Sequence, residues 1–253
     1  IGGHAHAGLM TLGEQTWIFG GFDAMAAASG SEKTLSASDA VEIYDRVDSQ
    51  FRAAPALLAP RAMALMQAVG DGRVRLVGGV SRATVGAQPN FLAIEGPSAG
   101  VEIYDPSGAS AGVAVAVPFP PMASALALSE GRALLIGGSG PTAGTYSSRG
   151  WIVPAGVPAE ADIEAGSFEL DAARYGAALA SAGADVLVWG GATEEGSSLG
   201  LWVDSTTGSW SALEGGEWTD NTMFSAAHYL DSEGPTHRFV VLGGTSGDEL
   251  AVN

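Results

Sequence analysis

The side chains best placed to do chemistry in this chain are arginines and aromatics at the ends of apolar runs, together with a few histidines. Arg61 and Arg174 each stand just before a short run of small and apolar residues, while Arg82, Phe91, Tyr146, Arg149 and Trp218 lie in or beside the polar stretches between runs. Arginine presents five N–H donors in a fixed fork and an aromatic ring offers a large rigid contact area, so this set fits the chemistry of binding. For Arg61 and Arg174 the alternative is structural: a guanidinium that bonds loop carbonyls and holds neighbouring units together. His4 and His6 form a His-x-His pair that would point to one side of a strand, with His228 in the corresponding strand near the other end. Three imidazoles at a shared seam suit zinc or copper. No carboxylate stands at ligand spacing, so the expectation is a structural role, with no metal and no cofactor. The acidic pairs Glu194-Glu195 and Asp248-Glu249 lack the Asp-x-Asp-x-Asp-Gly spacing of a calcium loop. There is no phosphate loop or histidine-centred triad, and the lack of cysteine excludes disulfides, thiolate metal sites and a cysteine nucleophile.

Composition narrows the partners further. The chain has 253 residues, 46% of them apolar, which is enough to build a large core. Its 28 acidic against 11 basic residues leave a net charge of −17, which repels phosphate backbones and anionic lipid, so no nucleic acid is expected as a partner. The apolar stretches are too short and too interrupted to span a bilayer, so no membrane insertion is expected. The basic residues are ten arginines and the single Lys33 amid abundant alanine and glycine, which reads as a bacterial gene of high GC content. An acidic surface fits an extracellular, cell-surface or periplasmic location, with the cytoplasm left open, and a start at Ile1 reads as a removed targeting segment or a fragment.

These residues need elements to position them, and the elements announce themselves by a double glycine. Gly20-Gly21, Gly78-Gly79, Gly137-Gly138, Gly190-Gly191 and Gly243-Gly244 recur at steps of 58, 59, 53 and 53 residues, the mark of one supersecondary unit reused. Each pair closes a run of β-type residues, as in Thr16-Trp17-Ile18-Phe19 and Val74-Arg75-Leu76-Val77. Upstream of each lies a run of small residues joined by a tight turn, of which Asp71-Gly72 is the strongest hairpin signal. Downstream, Val41-Glu42-Ile43-Tyr44-Asp45 returns almost unchanged as Val101-Glu102-Ile103-Tyr104-Asp105, with weaker versions at Trp151-Ile152-Val153 and Leu201-Trp202-Val203. A fourth strand is marked by Phe51, Phe168 and Trp210, whereas the second unit offers only residues 112–117. The expectation is an all-β chain of four-stranded antiparallel meanders with no helix. The alanine-, serine- and glycine-rich first strands fit a radial arrangement in which innermost strands crowd together. A position without Cβ permits positive φ or close approach of a neighbouring backbone, and the sequence does not separate those causes.

A β-β(Gly-Gly)-β(Tyr-Asp)-β(aromatic) unit of about 50 residues resembles the kelch repeat. The match is good in the first two units, fair in the fourth and fifth, and thinnest in the third. The resemblance implies a kelch-type β-propeller in one domain, 1–253, with blades at approximately 1–58, 59–118, 119–171, 172–221 and a partial 222–253. Four complete blades and a partial fifth would make it a segment of a six- or seven-bladed propeller. Some kelch propellers are enzymes, including copper-radical oxidases and a sialic-acid isomerising enzyme. The oxidase needs a cysteine cross-linked to a tyrosine, which this chain does not supply, and the first strands carry no charged cluster for the isomerase.

In an antiparallel meander the strand two-to-three connections emerge at one end and the tight hairpins at the other. The long connections are all two-to-three: residues 22–39, 80–100, 139–149 and 192–200. Long loops on a rigid scaffold are where binding concentrates. The functional expectation is therefore a non-enzymatic module that binds a protein or glycan on this face, with a carbohydrate-active enzyme or a structural component of an assembly as alternatives.

Overall fold

The computed structural model describes residues 4–23, 33–70, 72–85, 92–95, 100–108, 119–120, 123–138, 145–193, 200–213, 222–223, 226–233, 236–242 and 245–246. They divide into two compact bodies, Ile1–Pro121 with Gly156–Glu160, and Met122–Ala155 with Ala161–Asn253.

In the first body the opening repeat is a four-stranded meander, Gly8–Leu12, Gln15–Phe19, Val41–Asp45 and Gln50–Ala54, each strand antiparallel to the next. The register pairs Gly8 with Phe19, Phe19 with Val41 and Val41 with Ala54. The second repeat contributes Leu65–Ala68, Val74–Val77 and Val101–Tyr104, paired in the same order. Its expected fourth strand at 112–117 lies outside the described residues. Strand alternation sends Trp17, Phe19, Val41 and Ile43 to one face, where they pack with Val74, Leu76 and Tyr104 of the second repeat. Burying side chains of this size stabilises by roughly 1.5–3 kcal/mol each, so this apolar layer holds the two sheets together.

The second body repeats the plan. One sheet runs Ser124–Ala127, Ala133–Ile136, Ser147–Val153 and Ser167–Tyr175, and the next runs Ala178–Ala182, Asp185–Trp189, Gly200–Asp204 and Trp210–Ala212. Leu134, Ile136 and Leu170 pack with Val186, Val188, Leu201 and Val203 between them. The fifth repeat shows a hairpin, Ala226–Glu233 with Thr236–Leu242. In each body the first strands of successive repeats lie alongside one another. A Cβ on Gly8 would overlap Met66 of the neighbouring first strand, which is the crowding that the small residues relieve.

Two features differ from the sequence expectation. A short helix, Glu160–Ala165, interrupts the third repeat between its third and fourth strands, and a 3-10 turn occupies Ser129–Gly131. Glu160, Ala161 and Glu164 favour a helix, Ile163 anchors it in the interior, and the Gly166 N–H returns to the Ile163 carbonyl at 3.0 Å. The six-residue span is too short for a periodic apolar pattern to betray it. The second difference is that the long connections of the first two repeats are themselves folded. Lys33–Ser36, Arg82–Val85 and Leu92–Glu95 form an antiparallel three-stranded sheet with Arg82–Val85 in the middle.

Candidate functional site

Arg61 organises the junction of the first two repeats. Its backbone carbonyl accepts the Gly21 N–H at 2.9 Å, and its own N–H donates to the Ser38 carbonyl at 3.1 Å. The guanidinium turns into the second repeat, where it donates to the carbonyls of Gly78 at 3.2 Å and Gly100 at 3.3 Å and to Glu102 Oε2 at 2.8 Å. The second carboxylate oxygen of Glu102 accepts the Leu58 N–H at 2.8 Å. Arg61 is 1% exposed and Glu102 0%, so the pair is fully enclosed. Burial lowers the Arg61 pKa, and the Glu102 carboxylate opposes that shift.

Arg174 does the same work in the second body. Its carbonyl accepts the Gly138 N–H at 2.8 Å, and its guanidinium donates to the Gly190 carbonyl at 3.1 Å and to Asp171 Oδ1 at 3.0 Å. Arg61 and Arg174 thus bond loop carbonyls and join neighbouring repeats through contacts in the interior, the structural alternative left open by the sequence. The double glycines follow from this geometry. The first glycine of each described pair has φ between +56° and +68°, and a Cβ on Gly20 or Gly137 would overlap the carbonyl oxygen of Arg61 or Arg174. Positive φ and close backbone approach both apply.

Arg82 is exposed at the start of the central strand of the loop-borne sheet, with Ser36 and Glu95 opposite it in register. Alternation puts Ala83 inward, where it packs with Phe22, Ala37, Ala62 and Val80 and with the half-buried Leu35 and Met63. Thr34, Ser36 and Arg82 are exposed on the other side. The described parts of two connections thereby form a platform with its own small core.

In the second body Tyr146, 36% exposed, stacks on Tyr175 with ring centroids 5.5 Å apart and planes 19° from parallel. Burial raises the Tyr175 pKa, with Tyr146 adding to the shift. The strand that follows Tyr146 pairs Ser147 with Arg174, so Tyr146, Arg149 and Arg174 are brought onto adjoining strands. Arg149 lies on the strand Ser147–Val153, where it donates to Glu164 Oε2 and Ser167 Oγ, both at 2.9 Å, and sits 5.2 Å from the Trp151 ring. These partners tie the short helix to the sheet. Phe91 and Trp218 lie outside the described residues.

The histidine expectation needs correction. The strand His4–Ala5 ends before His6, which takes φ +55° in a turn and sets its ring edge-on to Phe22, so the two do not share one side of a strand. Among the described residues no cluster of three metal-ligating side chains occurs. Glu102, Asp171 and Tyr175 were not singled out from sequence. Glu102 was visible as the acidic member of the repeated Val-Glu-Ile-Tyr-Asp segment, and Tyr175 as the neighbour of Arg174.

No family model matches the chain, and no curated protein matches it. Among solved structures the chain is similar to one described as the structure of YjhT, at 13% identity and a TM-score of 0.57, covering 97% of this chain and 78% of that one. At that identity the likeness shows the fold alone: an all-β, propeller-like succession of antiparallel sheets, several of them four-stranded.

Proposed function

We propose that this chain is a kelch-type β-propeller module that binds a protein or a glycan, without catalysis, through its strand two-to-three connections. The observation that carries the reading is the loop-borne sheet of Lys33–Ser36, Arg82–Val85 and Leu92–Glu95. Joining two strands that are already adjacent needs only a few residues, yet these connections are long and have acquired a sheet and a core of their own. They hold Thr34, Ser36 and Arg82 out in fixed positions, and preorganised polar groups lower the ordering cost of binding. In the second body the stacked, part-exposed Tyr146 supplies an aromatic anchor on the corresponding connection.

A displayed peptide library and a glycan array test the reading on the full chain. A selected ligand is expected to lose at least about tenfold in affinity on Arg82→Glu, worth about 1.4 kcal/mol, and to be unaffected by Arg52→Glu on the fourth strand of the first repeat. A ligand indifferent to Arg82→Glu, or no ligand from either source, would overturn it.

A further inference from the structure

The ladders allow the repeats to be compared residue by residue. Phe19, Val77, Ile136, Trp189 and Leu242 each stand one position before a double glycine, and each pairs with a first strand, at Gly8, Leu65, Ser124, Ala178 and Ala226. Alternation along the second strand then gives every sheet two faces. One carries the residues one and three positions before the glycines, the other those two and four positions before.

Within each body the repeats pack by a single rule. In the first body Trp17 and Phe19, from a one-and-three face, meet Val74 and Leu76, from a two-and-four face. In the second body Leu134 and Ile136 meet Val186 and Val188, and Leu187 and Trp189 in turn meet Phe239 and Val241. At these junctions a sheet offers its one-and-three face to the repeat that follows, which receives it on a two-and-four face.

Two such faces are exposed. The first is the two-and-four face of the first repeat, with the rows Leu9, Ile18, Glu42, Ala53 and Thr11, Thr16, Tyr44, Phe51 across its four strands. Ile18 and Tyr44 are half-buried and Leu9 is 63% exposed, whereas the counterparts of Ile18 and Tyr44, which are Leu76 and Tyr104 in the second repeat and Val188 and Val203 in the fourth, are buried. Phe51 lies against Tyr44 with ring centroids 4.9 Å apart. Its counterpart in the fourth repeat is Trp210, which opposes Val203 as Phe51 opposes Tyr44 and donates its indole N–H to the Glu169 carbonyl of the preceding repeat at 2.7 Å. The second exposed face is the one-and-three face of the fifth repeat, where Leu242 is 57% exposed and Val240 half-buried. In the other four repeats the residue before the double glycine is buried.

We propose that these two faces form one interface between copies of this chain: the two-and-four face of the first repeat in one copy receives the one-and-three face of the fifth repeat in a second copy, head to tail. The occupant follows from the junctions inside the chain, since the first face has the register and apolar character of a face that receives a repeat, and the second those of a face that is received. Contiguous exposed apolar faces mark association sites, and a head-to-tail contact uses two different patches. Glu42 is the carboxylate in the receiving face, at the position where the second repeat buries Glu102. Two chains of net charge −17 repel, so salt, which screens charge and leaves apolar contact intact, strengthens the association. The loop-borne sheet takes no part, so the interface is independent of what that sheet binds.

Sedimentation velocity of the full chain reads this directly. The mass of the parent chain is expected to rise with concentration, more steeply at high salt than at low. Leu9→Glu removes one half of the interface and Leu242→Glu the other; both side chains are exposed, and an unchanged circular-dichroism spectrum checks that each variant folds. Either variant alone is expected to associate at least about tenfold more weakly than the parent. An equal mixture of the two keeps one intact junction per pair, so it is expected to form a dimer and grow no further. Leu9→Thr, which keeps a β-forming side chain, is expected to weaken association in the same direction and decides the matter where Leu9→Glu disturbs the spectrum. A parent chain that stays monomeric at every concentration and salt, a folded variant that associates alone as the parent does, or a mixture no heavier than its components would overturn the proposal.

Discussion

Arg61 Nη2 lies 2.8 Å from Glu102 Oε2, and neither side chain reaches solvent. The bond joins the entry of the second repeat's first strand to its third strand, while the Arg61 carbonyl holds the glycine pair of the repeat before. Burial alone would make such a pair costly, and what offsets the cost is that the fork also serves two carbonyls and the carboxylate also receives the Leu58 N–H.

Glu102→Gln keeps the shape and an acceptor for Leu58 but leaves Arg61 buried without its countercharge. The expected loss is about 3–5 kcal/mol by urea unfolding. The double variant Arg61→Met with Glu102→Gln is expected to lose less than the sum of the single changes, by roughly 0.5–3 kcal/mol, because no orphaned charge remains.

Alanine at the first glycine of a pair tests the close approach separately from the backbone angle. Gly13 and Gly20 have similar φ, +60° and +56°, but a Cβ on Gly13 meets nothing within 4 Å, whereas one on Gly20 overlaps the Arg61 carbonyl oxygen. Gly13→Ala is expected to cost roughly 1–2 kcal/mol from the left-handed backbone alone. Gly20→Ala is expected to cost on the order of 1–3 kcal/mol more, and Gly137→Ala to behave like it.

The aspartates that end the third strands should show in the acid limb of stability. Asp45 is held below the usual carboxylate range first by the Val47 N–H, Asp105 by the Ser107 side chain and N–H, and Asp204 by the Thr206 N–H. The turn geometry agrees: Oδ1 accepts the N–H two residues on at 3.0, 2.8 and 2.7 Å respectively. With the folded pKa depressed, the contribution is present above the unfolded value of about 3.9 and lost as pH falls through the folded one. Asp105→Ala should therefore be less stable than the parent at neutral pH, with the gap closing below about pH 4.

Tyr104 provides an alkaline check on the core. Burial, with Asp105 and Glu102 adding to it, pushes its phenol up to about 12. In an absorbance titration Tyr104→Phe should remove one tyrosine's worth of the change that the parent chain shows near pH 12.

Much of the strand plan was legible, and the reasons are local. The Thr16–Phe19 and Val74–Val77 runs are β-branched and aromatic, end at glycine pairs, and need no tertiary information to be recognised. Glu102 and Asp171 show where that limit lies. Both are ordinary acidic residues in sequence, and only folding places Glu102 at the guanidinium 41 positions away, while Asp171 reaches Arg174 three positions on along the strand Ser167–Tyr175 that carries both. The loop-borne sheet was hidden for a related reason. Lys33–Ser36 is a short strand whose partner, Arg82–Val85, comes from a different repeat, so it forms no hairpin signal with its sequence neighbour.

The binding face is tested most directly by hydrogen–deuterium exchange of the full chain with and without a ligand selected from the peptide library or glycan array. The account predicts ligand protection at Arg82–Val85. Protection confined to the outer strands Gln50–Ala54 and Trp210–Ala212 would contradict it.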